Sequence, residues 1–103
     1  MPSVPKRKRV VDKKAIESVK KPYCEVCGRW TYCEVHHIIP CGMGGGNRID
    51  HVYNLINICA GYGDCHDKAQ KYVISQHDLF EVVAKREGVS VEEVENTVWG
   101  LKV

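Results

Sequence analysis

The sequence predicts an α+β fold, a small zinc-stapled core in which a two-stranded antiparallel hairpin packs on a helix, with further helices flanking it. Three observations predict this fold. The runs TYCEVHHII (residues 31–39) and LINIC (residues 55–59) are rich in β-branched residues, as strands are. Cysteines stand beside both runs at spacings that suit a metal ion. Finally, several other segments repeat apolar residues at helical intervals, most of them behind capping residues.

The composition argues against a membrane or secreted protein. The chain has 103 residues, enough for one domain with a modest core, and 44% of them are hydrophobic. No apolar run approaches the roughly 20 residues of a membrane span, and the start of the chain is charged instead of apolar. We therefore expect a cytoplasmic protein in a reducing compartment, where six cysteines bind metal more often than they form disulfides. A secreted, disulfide-knotted protein is the disfavoured alternative.

Charge and proline divide the chain into three segments. Residues 1–21 are a basic N-terminal arm with eight Lys or Arg against two acids. Residues 11–20 predict a short helix that ends before Pro22 and has Val11, Ala15 and Val19 on its apolar face. Residues 22–74 hold both strands, the cysteine pairs and a helix from Cys65 to about residue 74, with Asp64 as its cap. Residues 75–103 form a C-terminal helical extension.

The extension is predicted to contain two helices. Capping boxes predict their starts, and Gly88 separates them; the boxes are Ser75 with Asp78 and Ser90 with Glu93. The outline resembles a helix-turn-helix, but the second helix carries Glu92, Glu93 and Glu95, which would repel phosphates. We therefore interpret these helices as packing elements.

The basic arm predicts a polyanionic partner, since lysine and arginine attract phosphates. The candidate phosphate contacts are Lys6, Arg7, Lys8, Arg9 and, in the glycine-rich loop CGMGGGNRID, Arg48. A solubilising tail is the alternative for the arm, and a plain connector is the alternative for the loop.

Two cysteine pairs predict a structural zinc site. CEVC has the two-residue spacing that lets both thiolates face one ion from a tight turn, and a second pair follows about thirty residues later. The predicted ligands are Cys24, Cys27, Cys59 and Cys65. The second pair is separated by five residues instead of two, which loosens the assignment. Cys33 and Cys41 are the competing thiols, and we interpret both as plain cysteines.

Histidines form a second cluster of candidate residues. His36 and His37 stand at the end of the first predicted strand, and His66 directly follows Cys65. A zinc site that draws the helix start toward the second strand would bring these side chains together. Two imidazoles with water and a phosphate oxygen can form an open site for a divalent ion. Adjacent residues of a strand point to opposite faces, so His36 and His37 can share one site only if the strand turns at its end. The alternative is one core histidine and several at the surface.

The motifs CEVC, EVHHIIP, GGG, NLINIC and CH, in this order, resemble an HNH endonuclease of the ββα-metal (His-Me finger) class. The resemblance covers roughly residues 22–72 and departs from the family at CAGYGDC, where many members have two residues between the cysteines. It implies a metal-dependent endonuclease that hydrolyses DNA to 5′-phosphate and 3′-hydroxyl ends. The basic residues of the arm and Arg48 would then be DNA contacts that hold the backbone without reading its sequence. It also implies a phage or mobile-element setting in the bacterial host cytoplasm, with terminase or other packaging proteins as partners.

The resemblance implies roles for four residues. His36 and His66 would bind a catalytic divalent ion such as Mg²⁺ or Mn²⁺, and His37 would be the general base. Asn54 would tie the loop to the strand and hold the His37 ring. A non-catalytic zinc module that binds nucleic acid is the alternative, and it would need the cysteines but not these four residues. We expect a monomer, because no dimer surface is legible in the sequence.

Overall fold

The computed structural model describes residues 9–41, 48–61 and 63–102. Within them lie four helices: α1 (Lys13–Val19), α2 (Cys65–Gln70), α3 (Gln76–Glu87) and α4 (Val91–Lys102). Two strands, β1 (Cys33–His37) and β2 (Leu55–Cys59), form an antiparallel sheet, and a 3-10 turn, Val52–Asn54, leads into β2. This small mixed fold confirms the α+β prediction and the predicted strand pair.

The register of the hairpin determines which side chains lie opposite each other. Cys33 lies opposite Cys59, and His37 lies opposite Leu55. The predicted strand ran to residue 39, but β1 ends at His37. It ends there because the Asn54 side chain takes over the backbone of Ile39, accepting from its N–H at 2.8 Å and donating to its carbonyl at 3.3 Å. A side chain thus replaces the neighbouring strand at the point where β1 would continue.

The hairpin lies between two apolar layers, since all of β2 is buried. Ile56 and Ile58 belong to a large cluster with residues of α2, α3 and α4, whereas Leu55 packs with Ala15 and Val19 of α1. Consecutive residues of a strand point to opposite faces, so β2 joins both layers.

The first helix begins two residues later than predicted. The Asp12 side chain caps it, accepting from the backbone N–H groups of Lys14 and Ala15. Val11, expected on its apolar face, precedes the helix and is 52% exposed. Residues 10–12 instead meet the loop before β2, where Val10 pairs with Ile49 in a parallel bridge.

The helix α2 is shorter than predicted, ending at Gln70 instead of near residue 74. The chain turns because Tyr72 adopts a left-handed φ of 57°, and the N–H groups of Val73 and Ile74 both donate to the Lys68 carbonyl. Asp64 occupies the N-cap position without making the predicted cap hydrogen bond. Its carboxylate instead accepts from the Gly61 N–H.

The helices α3 and α4 confirm the serine hydrogen bond of each predicted capping box. The Ser75 and Ser90 hydroxyls accept from the N–H groups of Asp78 and Glu93, both at 3.1 Å, and Gly88 ends α3 with a φ of 70°. Buried side chains of both helices join the same core as the hairpin: Leu79, Phe80, Val83, Ala84, Val94 and Val98. Among the described residues, no helix has both the length and the apolar character needed to cross a membrane.

Candidate functional site

The four predicted cysteines converge at one end of the hairpin. The sulfur atoms of Cys24, Cys27, Cys59 and Cys65 all lie within 4.8 Å of one another. Three of these residues are buried and Cys27 is exposed. Four sulfur donors at this separation could hold a metal ion such as zinc. Cys33 and Cys41 are not members of the group.

Two turns bring the cysteines together. The first places Cys24 and Cys27 side by side, and the Gly28 N–H closes it on the Cys24 carbonyl at 2.9 Å. The second lies between Cys59 and Cys65, where Asp64 accepts from the Gly61 N–H and pairs with Arg29 at 2.8 Å. The Cys65 N–H then points at the Cys59 sulfur at 3.4 Å. The unusual spacing therefore still returns Cys65 to the cluster.

The electrostatics of the thiols favour a bound cation. Burial opposes ionisation of Cys24, but N–H groups of Cys27, Cys59 and Val26 outweigh it and lower its pKa to about 7. Burial and the neighbouring thiols raise the pKa of Cys65 strongly. Ionisation of one thiol therefore raises the pKa of its neighbours, and a bound cation would stabilise several of the sulfurs as thiolates.

His36 and His66 face each other across the hairpin–α2 junction. Their ring centroids are 5.2 Å apart and the rings are nearly perpendicular, at 86°. Burial, followed by the charges of His66 and His37, lowers the pKa of His36 to about 4. His36 is therefore neutral at pH 7, the protonation state in which imidazole binds metal. The structure thus brings the two predicted ligands of a catalytic ion together.

An open cavity of about 400 Å³ lies beside these rings. Residues of β1, the segment after it, α2 and the start of α3 line it, and they include His36, His37 and His66. His37 starts on the α1 side of the sheet, because it lies opposite Leu55, and His36 starts on the other side. Both can border one cavity because the cavity lies where the strand ends.

Asp50 holds the His37 ring, a contact that the sequence did not reveal. Its Oδ1 lies 2.7 Å from His37 Nε2, and the carboxylate is fully buried. Burial opposes its ionisation, but hydrogen bonds from Arg48, His37 and the Asp12 N–H outweigh it and lower the pKa of Asp50 to about 2. No motif marks Asp50, and a lone aspartate after a glycine-rich loop gave no signal that could have found it.

Asn54 is completely buried and ties the loop to the end of β1. Besides Ile39, its amide donates to the Ile49 carbonyl at 3.0 Å. Among the described residues it makes no hydrogen bond to His37, and this corrects the prediction that Asn54 itself holds the ring. Asn54 instead hydrogen-bonds the carbonyl of Ile49, the residue before Asp50, and Asp50 contacts the His37 ring.

The predicted DNA contacts divide into two groups. Lys6, Arg7 and Lys8 lie outside the described residues. Arg9 is exposed and precedes Val10, whose N–H donates to the Arg48 carbonyl at 2.9 Å. Arg48 pairs with Asp50 at 2.8 Å and keeps 31% of its side chain exposed. The described end of the basic arm thus lies beside the loop that contacts His37.

Comparison of the chain with protein-family models, curated proteins and solved structures found no match.

Proposed function

We propose that the protein is a metal-dependent DNA endonuclease of the HNH, ββα-metal type, which hydrolyses phosphodiester bonds to 5′-phosphate and 3′-hydroxyl ends. One observation carries the proposal: three histidines from a strand end and a helix start border one open cavity beside a four-cysteine cluster. The order of the motifs, which resembles that family, is the second support. The same resemblance suggests phage DNA packaging as the setting.

In this proposal the four cysteines hold a structural zinc ion. The ion would staple the Cys24–Cys27 turn and the end of β2 to the start of α2. Structural zinc sites of this type provide about 10–16 kcal/mol of apparent binding free energy, which a small fold uses for its stability.

His36 and His66 would hold the catalytic divalent ion. The fit rests on two facing rings, of which His36 is neutral, next to an open cavity. When bound, such an ion supplies positive charge to the scissile phosphate and the leaving 3′ oxygen. Two protein ligands leave further coordination positions for water and substrate. Because imidazole is a softer ligand than the oxygens that Mg²⁺ prefers, we expect faster cleavage with Mn²⁺ than with Mg²⁺.

His37 would be the general base. It borders the cavity in which the phosphate would lie, and a buried carboxylate fixes its ring. The ring would take one proton from a water molecule, the water oxygen would attack phosphorus, and the bond from phosphorus to the 3′ oxygen would break. The leaving 3′ oxygen would take a proton from solvent water to become the hydroxyl. Arg9, Arg48 and the arm lysines would hold the DNA backbone through charge.

The test is cleavage of supercoiled plasmid by the zinc-loaded protein. We expect nicking with Mn²⁺ or Mg²⁺ and none after dialysis into metal-free buffer, with zinc content measured to show that the structural ion stays bound. The variant His37→Ala should cleave about 100-fold more slowly or worse, because it lacks the base, while its melting temperature and DNA affinity stay near wild type. His77→Ala is the matched control, since His77 lies on the α3–α4 surface and does not line the cavity.

A non-catalytic zinc module that binds nucleic acid is the second candidate. The cysteine cluster favours it, because the four sulfurs converge without help from any histidine. This candidate predicts that wild-type protein binds DNA and cleaves none with any divalent ion. It also predicts that His36, His37 and His66 can be replaced without effect on binding.

For the endonuclease proposal, cleavage by His37→Ala at the wild-type rate would remove His37 as the base.

A further inference from the structure

We propose that Asp50 is a positioning residue for His37: it fixes the imidazole as the tautomer protonated at Nε2 and so makes Nδ1 the atom that accepts the proton from water. The hydrogen bond is a property of the folded chain, whereas its purpose rests on the proposed endonuclease function. Asp50 touches neither substrate nor ion in this proposal and acts through His37.

The partners of Asp50 determine the direction of the hydrogen bond. Arg48 Nε lies 3.0 Å from each carboxylate oxygen, and the Asp12 backbone N–H donates to Oδ2 at 2.9 Å. A guanidinium and a backbone N–H can only donate, so both oxygens of Asp50 already accept. An ionised carboxylate has no proton to give, and His37 Nε2 must therefore be the donor across the 2.7 Å contact.

The carboxylate is held firmly in place. The Asp50 N–H donates to the Val10 carbonyl at 2.7 Å, and the carbonyl of the preceding Ile49 accepts from the Asn54 amide at 3.0 Å. Three parts of the chain thus fix one side chain: the end of the basic arm, the loop before β2, and the turn that contains Asn54. A base must be oriented closely toward its water molecule, and a carboxylate fixed in this way can impose that orientation.

The tautomer decides which ring atom is free to react. With Nε2 engaged, Nδ1 carries the lone pair, and among the described residues it has no hydrogen-bond partner. His37 is one of the residues that border the cavity. Once Nδ1 takes the proton, the imidazolium stays next to a negative charge, as in Ser–His–Asp triads. Arg48 shares that charge, so Asp50 stays ionised without binding the imidazolium too tightly.

The tautomer can be observed directly. Long-range ¹H–¹⁵N correlation spectra of the full ¹⁵N-labelled, zinc-loaded chain distinguish Nε2–H from Nδ1–H, and the variant His37→Gln assigns the signals. We expect Nε2–H in the wild type and a population of Nδ1–H in Asp50→Asn, because an amide can turn its NH₂ group toward Nε2. Arg48→Gln is the matched control: it removes the same ion pair but keeps the acceptor, so Nε2–H should persist.

Cleavage kinetics give the second readout. Asp50→Asn should lower kcat about 100-fold or more, with DNA affinity within about threefold of wild type. A purely structural anchor for the arm would instead lower stability in Asp50→Asn and Arg48→Gln alike, with Nε2–H kept in both. That pattern would overturn the inference.

The two proposals fail separately. A wild type that cleaves DNA but shows Nδ1–H overturns the role of Asp50 alone, and this measurement needs no variant that might lose its fold. A wild type with Nε2–H that cleaves no DNA confirms the contact and overturns the endonuclease proposal.

Discussion

The cysteine cluster and the histidine cavity use the same two elements in opposite ways. Both draw on the hairpin and on the start of α2, where Cys65 and His66 are neighbours. In the cysteine cluster four sulfur atoms lie within 4.8 Å of one another, and three of the four residues are buried. In the histidine cavity two facing imidazole rings border an open space of about 400 Å³. Four protein ligands complete a tetrahedral site, and two leave positions open. The number of converging side chains thus separates a structural centre from a candidate catalytic one.

The shared helix start also gives the two sites an order of dependence. If zinc holds Cys65 against Cys59, it also places His66 opposite His36. Loss of the cluster should therefore disrupt the cavity, whereas loss of a cavity histidine should leave the cluster intact. The predictions below test this asymmetry.

The largest effect is expected from Cys59→Ser. Cys59 is 1% exposed and its sulfur lies 3.8 Å from that of Cys27, so its loss would remove one ligand of the proposed zinc site. Because the zinc-binding free energy, about 10–16 kcal/mol, would be part of the folding free energy, we expect loss of zinc and of cooperative unfolding at 25 °C. Elemental analysis and thermal melts followed by circular dichroism measure both.

Cys33→Ser is the matched control for this experiment. Cys33 lies directly opposite Cys59 on the neighbouring strand, but its thiol donates to the Thr31 carbonyl and does not join the cluster. We expect one zinc per chain and a near-wild-type melt. A folded Cys59→Ser protein with full zinc content would contradict the structural role of the cluster.

A smaller and selective effect is expected from His66→Ala. Removing one of two ring ligands should lower Mn²⁺-dependent cleavage about 100-fold or more, because the ion then has a single protein ligand. Zinc content and melting temperature should stay unchanged, since the neighbouring Cys65 remains in place. Isothermal titration with Mn²⁺, together with the plasmid assay, makes the measurement. Loss of zinc from this variant would show that the two sites are not separable.

The smallest effect is expected at His77, which lies away from both sites. A hydrogen bond with Glu95 and the charges of Glu95 and Glu81 raise the pKa of His77 despite some burial. A group with a raised folded-state pKa stabilises the fold fully below its unfolded value of about 6.5, and the stabilisation is lost as pH rises through the folded value. The melting-temperature advantage of wild type over His77→Gln should therefore be present at about pH 6 and shrink toward pH 9.

This pair is exposed, so its contribution is limited by solvent screening to a few degrees at most. Zinc content should be the same in both proteins at each pH. A difference that grows with pH would contradict the assigned direction of the pKa shift.

The sequence predicted elements whose cause is local. Ser75 and Ser90 mark helix starts because a hydroxyl accepts from an N–H three residues later, a distance that is visible in one dimension. The run LINIC predicts β2 with its observed bounds, because a strand buried on both faces is largely apolar; Asn57 is its one polar residue. The cysteine spacings likewise identified all four members of the cluster.

The ends of elements were less legible, because distant groups determine them. β1 ends where Asn54, fifteen positions away, takes over the backbone of Ile39. α2 ends where Tyr72 turns left-handed, a conformation for which a tyrosine gives no sequence signal.

By itself the sequence determined which residues could do chemistry, since sulfur and imidazole donors at short spacings are properties of residue type. Only the tertiary structure decided how they meet. The end of the strand lets His36 and His37 border one cavity despite strand alternation, and the loop before β2 brings Asp50 to within 2.7 Å of His37. Such contacts depend on register and loop path, which are set by packing the whole chain. A single aspartate carries no pattern from which its partner could be read.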